Sequence, residues 1–594
     1  MLKELNQTWN LDALFPGGSE SSEYAAYLEA LERDIGALTQ DVSTPSGEAG
    51  IPLWSRRLAI VQDLVIRLRQ AAAFVTCLNA QNVKDYKARL LGSRVKQIQA
   101  NYASALTIMD EQLLKIPEAE WEGLLAGGEL RPLAFNLQER RRRAREKLSP
   151  DLETLANDLA VDGYHGWSEL YDTVVGRMSI PVPENGKTVQ VSPGQAANRM
   201  SSPDPAVRQQ VMANWEAAWG DVAEFCASAL NHLAGFRLNL YHRRGWDSPL
   251  KEPLEINRMS RETLEAMWNA VNQNKERLVT YLKRKQKLLG LDQLSWPDVS
   301  APIGRSETKF TYDEAANFIV EQFGRFDPRL AQFAAKAFAQ RWIEAEDRPG
   351  KRPGGFCTSF PASRQSRIFV TFSGTIGNLS TLAHELGHAY HQHVMNDLPP
   401  LAQQYAMNVA ETASTFAQLI VSDAATKQAK DENERLFLIE DRLADSASLL
   451  MNIQSRFLFE TRFYEARQRG PLGVPALNEL MVNAQKEAFQ DALGVYHPHF
   501  WASKLHFYST NTPFYNFPYT FGFLFSTGVY TRAREEGPAF ADRYVELLRD
   551  TGRMRVEDLA LHHLGADLTK AAFWQESIDT ALADLEEFLR LTDK

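Results

Sequence analysis

The chain has 594 residues, 44% apolar and 24% charged, with a net charge of −10. This is the composition of a globular protein with enough length for an extensive core. The negative balance argues against a broad nucleic-acid surface, and no apolar run reaches the roughly 18 residues of a membrane span. The three cysteines, Cys77, Cys226 and Cys357, are too few and too widely spaced for a disulfide framework or a Cys-rich metal site. The first ten residues contain no apolar stretch of the signal-peptide kind. A cytoplasmic protein is expected.

Residues 1–200 read as an N-terminal helical domain. The run Glu139-Arg-Arg-Arg-Arg143 lies between acids in a helical stretch and predicts a solvated helix face. The region closes on Ile180–Val191, where Asn185-Gly186 predicts a hairpin turn. Ser201-Ser-Pro-Asp-Pro205 then breaks the pattern and places a boundary near residue 200, with a second domain over 201–594. Within it, Ser260 predicts a helix N-cap ahead of Leu264, Met267, Trp268 and Val271, spaced for one apolar face. Gly350–Cys357 predicts a flexible loop, with Cys357 either an exposed thiol or an inert buried one. Arg367–Ser373, β-branched and aromatic, predicts a strand. Two readings of it stay open: an exposed edge that pairs with an extended peptide, or a strand pairing only within its own sheet. Near the C-terminus Trp574, Ile578, Ala581, Leu582, Leu585 and Phe588 repeat the helical spacing. The expected fold class is mainly α, a large multi-helix protein with a small β-sheet.

Residues 384–388 read His-Glu-Leu-Gly-His. The flanking stretch from Leu379 to Met395 lacks proline and is stopped by Asp397-Leu-Pro-Pro400, so a helix is predicted across it. Positions i and i+4 share a helix face, so His384 and His388 can offer two imidazole nitrogens to one ion. Glu385 is then placed to take a proton from an attacking water, the pattern of a hydrolytic zinc site. Gly387, beside the ligands, predicts that something approaches closely there. The extension that would supply a third histidine fails, because His391 and Val394 stand where it needs Gly and His. The other source is Glu411, alone in the apolar stretch Tyr405–Val421. A buried carboxylate needs a metal or an ionic partner, so Glu411 is the candidate third ligand, the alternative being a salt-bridged glutamate or one at the edge of the apolar face.

A second constellation follows at residues 497–522, rich in His, Tyr, Phe and Pro; seven of the twelve histidines lie between 384 and 506. A tetrahedral oxyanion needs donors besides a metal, and tyrosine hydroxyls or a histidine could provide them. Packing of a core by the same aromatics is the equal alternative.

Taken together, Thr381-Leu-Ala-His-Glu-Leu-Gly-His-Ala-Tyr-His391, Glu411-Thr-Ala-Ser-Thr415, His506-Phe-Tyr508 and Pro513-Phe-Tyr-Asn-Phe-Pro-Tyr519 resemble the M3 family of zinc metallopeptidases, specifically its oligoendopeptidase F branch. Trp9-Asn-Leu-Asp-Ala-Leu-Phe15 and Leu170-Tyr171-Asp172 resemble that branch too. The resemblance implies a helical, deeply clefted endopeptidase for short peptides, with 201–594 as its catalytic domain. It further implies one zinc ion held by His384, His388 and Glu411, Glu385 as general base, and His506, Tyr515 and Tyr519 as donors to the substrate. Phe517 departs from the branch, which often has tyrosine there. A zinc carboxypeptidase and a non-catalytic peptide-binding relative are the competing expectations.

Overall fold

The computed structural model describes residues 2–44, 50–184, 186–304 and 306–593. It is 72% helical, the mainly α class that the apolar spacing predicts. Two small sheets accompany the helices: a hairpin of β1 (Ile180–Glu184) and β2 (Lys187–Val191), and a three-stranded sheet of β3 (Ile343–Glu344), β4 (Phe356–Phe360) and β5 (Gln365–Phe369). The chain forms two compact units interleaved in sequence. Met1–Lys147, Thr308–Ala424 and Arg532–Gly565 make the first; Leu148–Glu307, Ala425–Thr531 and Ala566–Lys594 make the second. The boundary expected near residue 200 falls inside the second unit. No helix among the described residues is long and apolar enough to cross a membrane.

In the first unit, long helices Ser22–Ser43, Gly50–Gln81 and Tyr86–Lys115 share one core. Ser21 and Asp85 start two of them by accepting the N–H groups of Tyr24 (3.2 Å) and Ala88 (2.9 Å), donors that would otherwise be orphaned. Leu28, Leu31, Ile35, Leu38 and Val42, spaced three and four apart, are all buried. Trp9, Leu11 and Phe15 join this core, and the Trp9 N–H donates to Glu344 Oε2 (3.2 Å), tying the N-terminal segment to β3.

The sheet of this unit has the order β3-β5-β4, parallel then antiparallel. The predicted strand is therefore the central one, β5. Beyond its end, Val370 and Phe372 still donate to Glu344 and Ala345 on the β3 side. The two edges are the short β3 and the longer β4, whose first two residues, Phe356 and Cys357, end the stretch that predicts a flexible loop. Cys357 lies in β4, and burial pushes its thiol well above the ordinary range, with Glu385 adding to the effect. The shift favours the thiol over the reactive thiolate. The arginine run also departs from a purely solvated face. Arg142 and Arg143 pair with Glu139 (3.8 and 3.4 Å), but Arg141 is 3% exposed and stands 4.5 Å over the Trp121 ring.

In the second unit, β1 and β2 pair antiparallel; Asn185 of the expected turn lies outside the described residues. Ser260 caps helix Arg261–Leu288 through the Thr263 N–H (3.1 Å), and Leu264, Met267, Trp268 and Val271 are buried. The C-terminal stripe is divided between helices Ala571–Ala581 and Leu585–Leu591, with Trp574, Ile578, Leu582, Leu585 and Phe588 still inward. Tyr171 stacks flat on Tyr508 at 3.6 Å and donates to the Ala502 carbonyl (2.9 Å). Residues near 171 and 505 are thus packed as one piece.

Candidate metal centre

The motif helix runs from Ile376 to Met395. It begins three residues before the stretch predicted, because Thr375 and Asn378 form a capping box that satisfies donors at both positions. His384 and His388 lie one turn apart on it, each half-buried. Helix Thr412–Lys427 crosses beside it, with Glu411 at the turn that precedes this helix.

Gly387 makes the crossing possible. A Cβ there would stand 2.4 Å from the Ala413 carbonyl oxygen and 2.6 Å from Ser414 Cα. The close approach that the glycine predicts is the backbone of the segment carrying Glu411.

Glu411 Oε2 lies 3.2 Å from His384 Nε2 and 3.5 Å from His388 Nε2. A tetrahedral zinc site with bonds of about 2.0–2.1 Å sets its ligand atoms roughly 3.3 Å apart. Two imidazole nitrogens and a carboxylate oxygen at this spacing fit one such ion. Supporting contacts orient them. His384 Nδ1 lies 3.0 Å from Gln418 Oε1; the amide oxygen accepts the Nδ1 proton and leaves Nε2 as a lone pair toward the centre. Ser414 Oγ donates to Glu411 Oε2 at 2.8 Å. Although burial opposes it, hydrogen bonds from His384 and Ser414 and the charge of the two histidines when protonated draw the Glu411 carboxyl down to about 2, and an ion held there would replace those imidazole protons. Burial pushes the His388 imidazole down to about 4, which favours the neutral form that ligates.

Glu385 is 7% exposed, and its Oε2 has no hydrogen-bond partner. Burial, with Glu411 adding and His384 opposing, pushes its carboxyl up to about 7. A Cβ on Gly355, just before β4, would stand 3.4 Å from Glu385 Oε1 and 3.3 Å from the Phe369 carbonyl oxygen. The edge strand therefore starts beside Glu385, and glycine keeps that passage open. His391 takes no part: it is buried, stacked 4.2 Å from the Tyr405 ring, with Nε2 on Thr551 Oγ1 (2.9 Å) and the Leu548 carbonyl (3.2 Å).

In the second unit the rings of His506, Tyr515 and Tyr519 form one cluster, with centroids 4.9, 6.1 and 6.0 Å apart. All three are half-buried. Burial, Arg456 and Lys504 push His506 down to about 4, so near neutrality it is an uncharged imidazole with one N–H to give. Phe517 is outside the cluster, fully buried against Phe457 at 6.0 Å; its missing hydroxyl takes nothing from the three rings. A further grouping of Asp550, His562 and His563 offers ligand atoms within 4.8 Å of one another. Both Asp550 oxygens are already engaged, by Arg553 and by His563 Nε2 (2.8 Å), and the nearby arginine charge disfavours a cation.

Gln418 lies outside the motifs, and Ser414 stands inside Glu411–Thr415 without a role that the motif assigns. Their spacing from Glu411, seven and three residues, is nonetheless that of one helix face.

Residues 199–580 match peptidase family M3 and residues 112–179 match oligopeptidase F. Group B oligopeptidase PepB of Streptococcus agalactiae is 26% identical over 94% of both chains. Oligopeptidase PepF of Bacillus subtilis is 23% identical over 98% of this chain and 86% of its own. Among solved structures, oligoendopeptidase-F from Enterococcus faecium superposes with a TM-score of 0.68 at 18% identity, covering 96% of this chain and 98% of its own. The family match spans well over half of the residues, and it includes the His384–Glu411 centre, so the chain belongs to peptidase family M3, on its oligopeptidase F branch.

Proposed function

We propose that this chain is a zinc-dependent endopeptidase that hydrolyses internal bonds of short oligopeptides. The observation that carries the proposal is the convergence of His384 Nε2, His388 Nε2 and Glu411 Oε2 beside the buried carboxylate of Glu385. When bound, zinc would polarise the scissile carbonyl and make water acidic enough to be deprotonated near neutral pH. Glu385 takes the proton of the attacking water and later delivers it to the leaving amine. His506, Tyr515 and Tyr519 donate hydrogen bonds to the substrate carbonyl as negative charge develops on it. The edge strand β4 holds the peptide in extended form through main-chain groups, which makes recognition largely indifferent to side chains. The three cysteines are free, which fits a reducing compartment such as the cytoplasm.

Chelation is expected to abolish cleavage of a quenched fluorescent peptide, and one equivalent of zinc to restore it. Mass spectrometry of the products should find internal cuts. Release of single residues from the C-terminus alone would favour a carboxypeptidase, and absence of hydrolysis after zinc loading would favour a non-catalytic binder.

The contact between His384 and Gln418 supplies a separate prediction. Gln418→Leu removes the acceptor that fixes the His384 tautomer, and loss of such a partner weakens metal binding by about 10–100-fold. Competition with a chromophoric chelator measures this directly, and an unchanged zinc affinity would remove Gln418 from the centre.

A further inference from the structure

The segment that carries Tyr515 is gripped from one helix by groups that the chemistry above does not use. Helix Ile453–Arg467 presents Arg456, Glu460 and Tyr464 at steps of four, along one face. Arg456 Nη1 donates to Asn516 Oδ1 at 3.0 Å. Glu460 Oε1 accepts the Phe514 N–H at 3.1 Å. The Tyr464 ring stacks on the Phe514 ring with centroids 5.2 Å apart. The residues on either side of Tyr515 are therefore both held by this helix.

Phe514 has φ of +50°. A bulky residue in the left-handed region persists only where its surroundings fix it. Phe514 is 1% exposed, so water is not at hand to replace Glu460 as acceptor of its N–H. Glu460 is itself buried, has the Asn516 side chain as a second, weaker hydrogen-bond partner, and borders a small apolar void shared with Leu230, Phe463 and Phe507, the last next to His506. Arg237 secures the other end by donating to Tyr464 Oη (2.9 Å) and to the Ser509 carbonyl. A carboxyl group buried beside apolar rings is costly, and the partners that Glu460 does have, the Phe514 N–H and the Asn516 side chain, are the two residues that flank Tyr515.

We propose that Glu460 is a positioning residue for the reaction: by accepting the Phe514 N–H it locks the left-handed turn that sets Tyr515 against His506. This rests on the reading of Tyr515 as a donor to the substrate. Burial, opposed by Arg237, pushes the Glu460 carboxyl up to about 8, so near neutrality the group is largely uncharged, and glutamine reproduces both its shape and its acceptor.

The test compares E460Q, E460M and Y515F, all zinc-loaded, on one fluorescent peptide. Circular dichroism and thermal melting report folding, and deuterium exchange reports on the peptide spanning 511–517. Y515F should lose about a hundredfold in kcat. E460M should lose about tenfold in kcat with KM within twofold, and exchange faster over 511–517; E460Q should match the parent in all three. The double variant E460M/Y515F should be no slower than Y515F, because both changes remove the same interaction. Parental kcat in folded E460M, or multiplicative losses in the double variant, overturns the positioning role while leaving the donor role intact. Parental kcat in Y515F overturns the donor reading and this proposal with it. If E460M melts below the assay temperature, the shorter E460L takes its place under the same criteria.

Discussion

Glu385→Gln is expected to bind zinc as the parent does and to lose peptide hydrolysis by about 10³-fold or more, the upper range for removal of a general base. The substitution exchanges one oxygen for an amide nitrogen in a site where Glu385 is 7% exposed and only 3.4 Å from the space that a Cβ on Gly355 would fill. Glutamine has the same outline, so neither the motif helix nor the start of β4 need move. The change is confined to basicity. His384, His388 and Glu411 keep their spacing, because none of them is hydrogen-bonded to Glu385 among the contacts of the centre. Zinc stoichiometry and peptide turnover, measured on the same preparation, separate the two roles. A zinc-loaded variant that cleaves at the parental rate would refute proton transfer by Glu385.

The centre was legible in the sequence to the extent that it is local. His384 and His388 are four residues apart on one helix, and no distant contact is needed to bring them together. Glu411 could be singled out because an acid in an apolar stretch must find a partner, and the structure sets it within 3.5 Å of both histidine nitrogens. What depends on long-range pairing was not legible. Gly350–Cys357 carries the glycine and proline of a loop, yet its last residues become β4 once β5 offers hydrogen bonds to them. β5 in turn is central only because β3 pairs on its other side. Arg141 reads as one more surface cation until Trp121 is placed under it. The same limit applies to the two units, each assembled from three separated segments that only long-range packing brings together.

Gly387→Ala is expected to have the second large effect, with a sign opposite to the one helix propensity dictates. In an open helix the change stabilises by up to about 1 kcal/mol; Gly36→Ala, on helix Ser22–Ser43 with nothing within 4 Å of the new Cβ, is the matching control. At position 387 the methyl group would meet the Ala413 carbonyl oxygen at 2.4 Å, Ser414 Cα at 2.6 Å and the Ala413 carbonyl carbon at 2.8 Å. These are backbone atoms and cannot swing aside as the end of a side chain can. Relief requires the two helices to part by on the order of 1 Å, at an overpacking cost of about 1–3 kcal/mol. The displaced segment is the one that carries Glu411, so the strain falls on the distance from Oε2 to both histidines. Zinc affinity should fall at least tenfold, or about 1.4 kcal/mol, and the melting temperature should drop, while Gly36→Ala holds or gains on both counts. Parental zinc affinity in Gly387→Ala would mean that the helices can separate without moving the ligand, and that the close crossing serves packing rather than the metal centre.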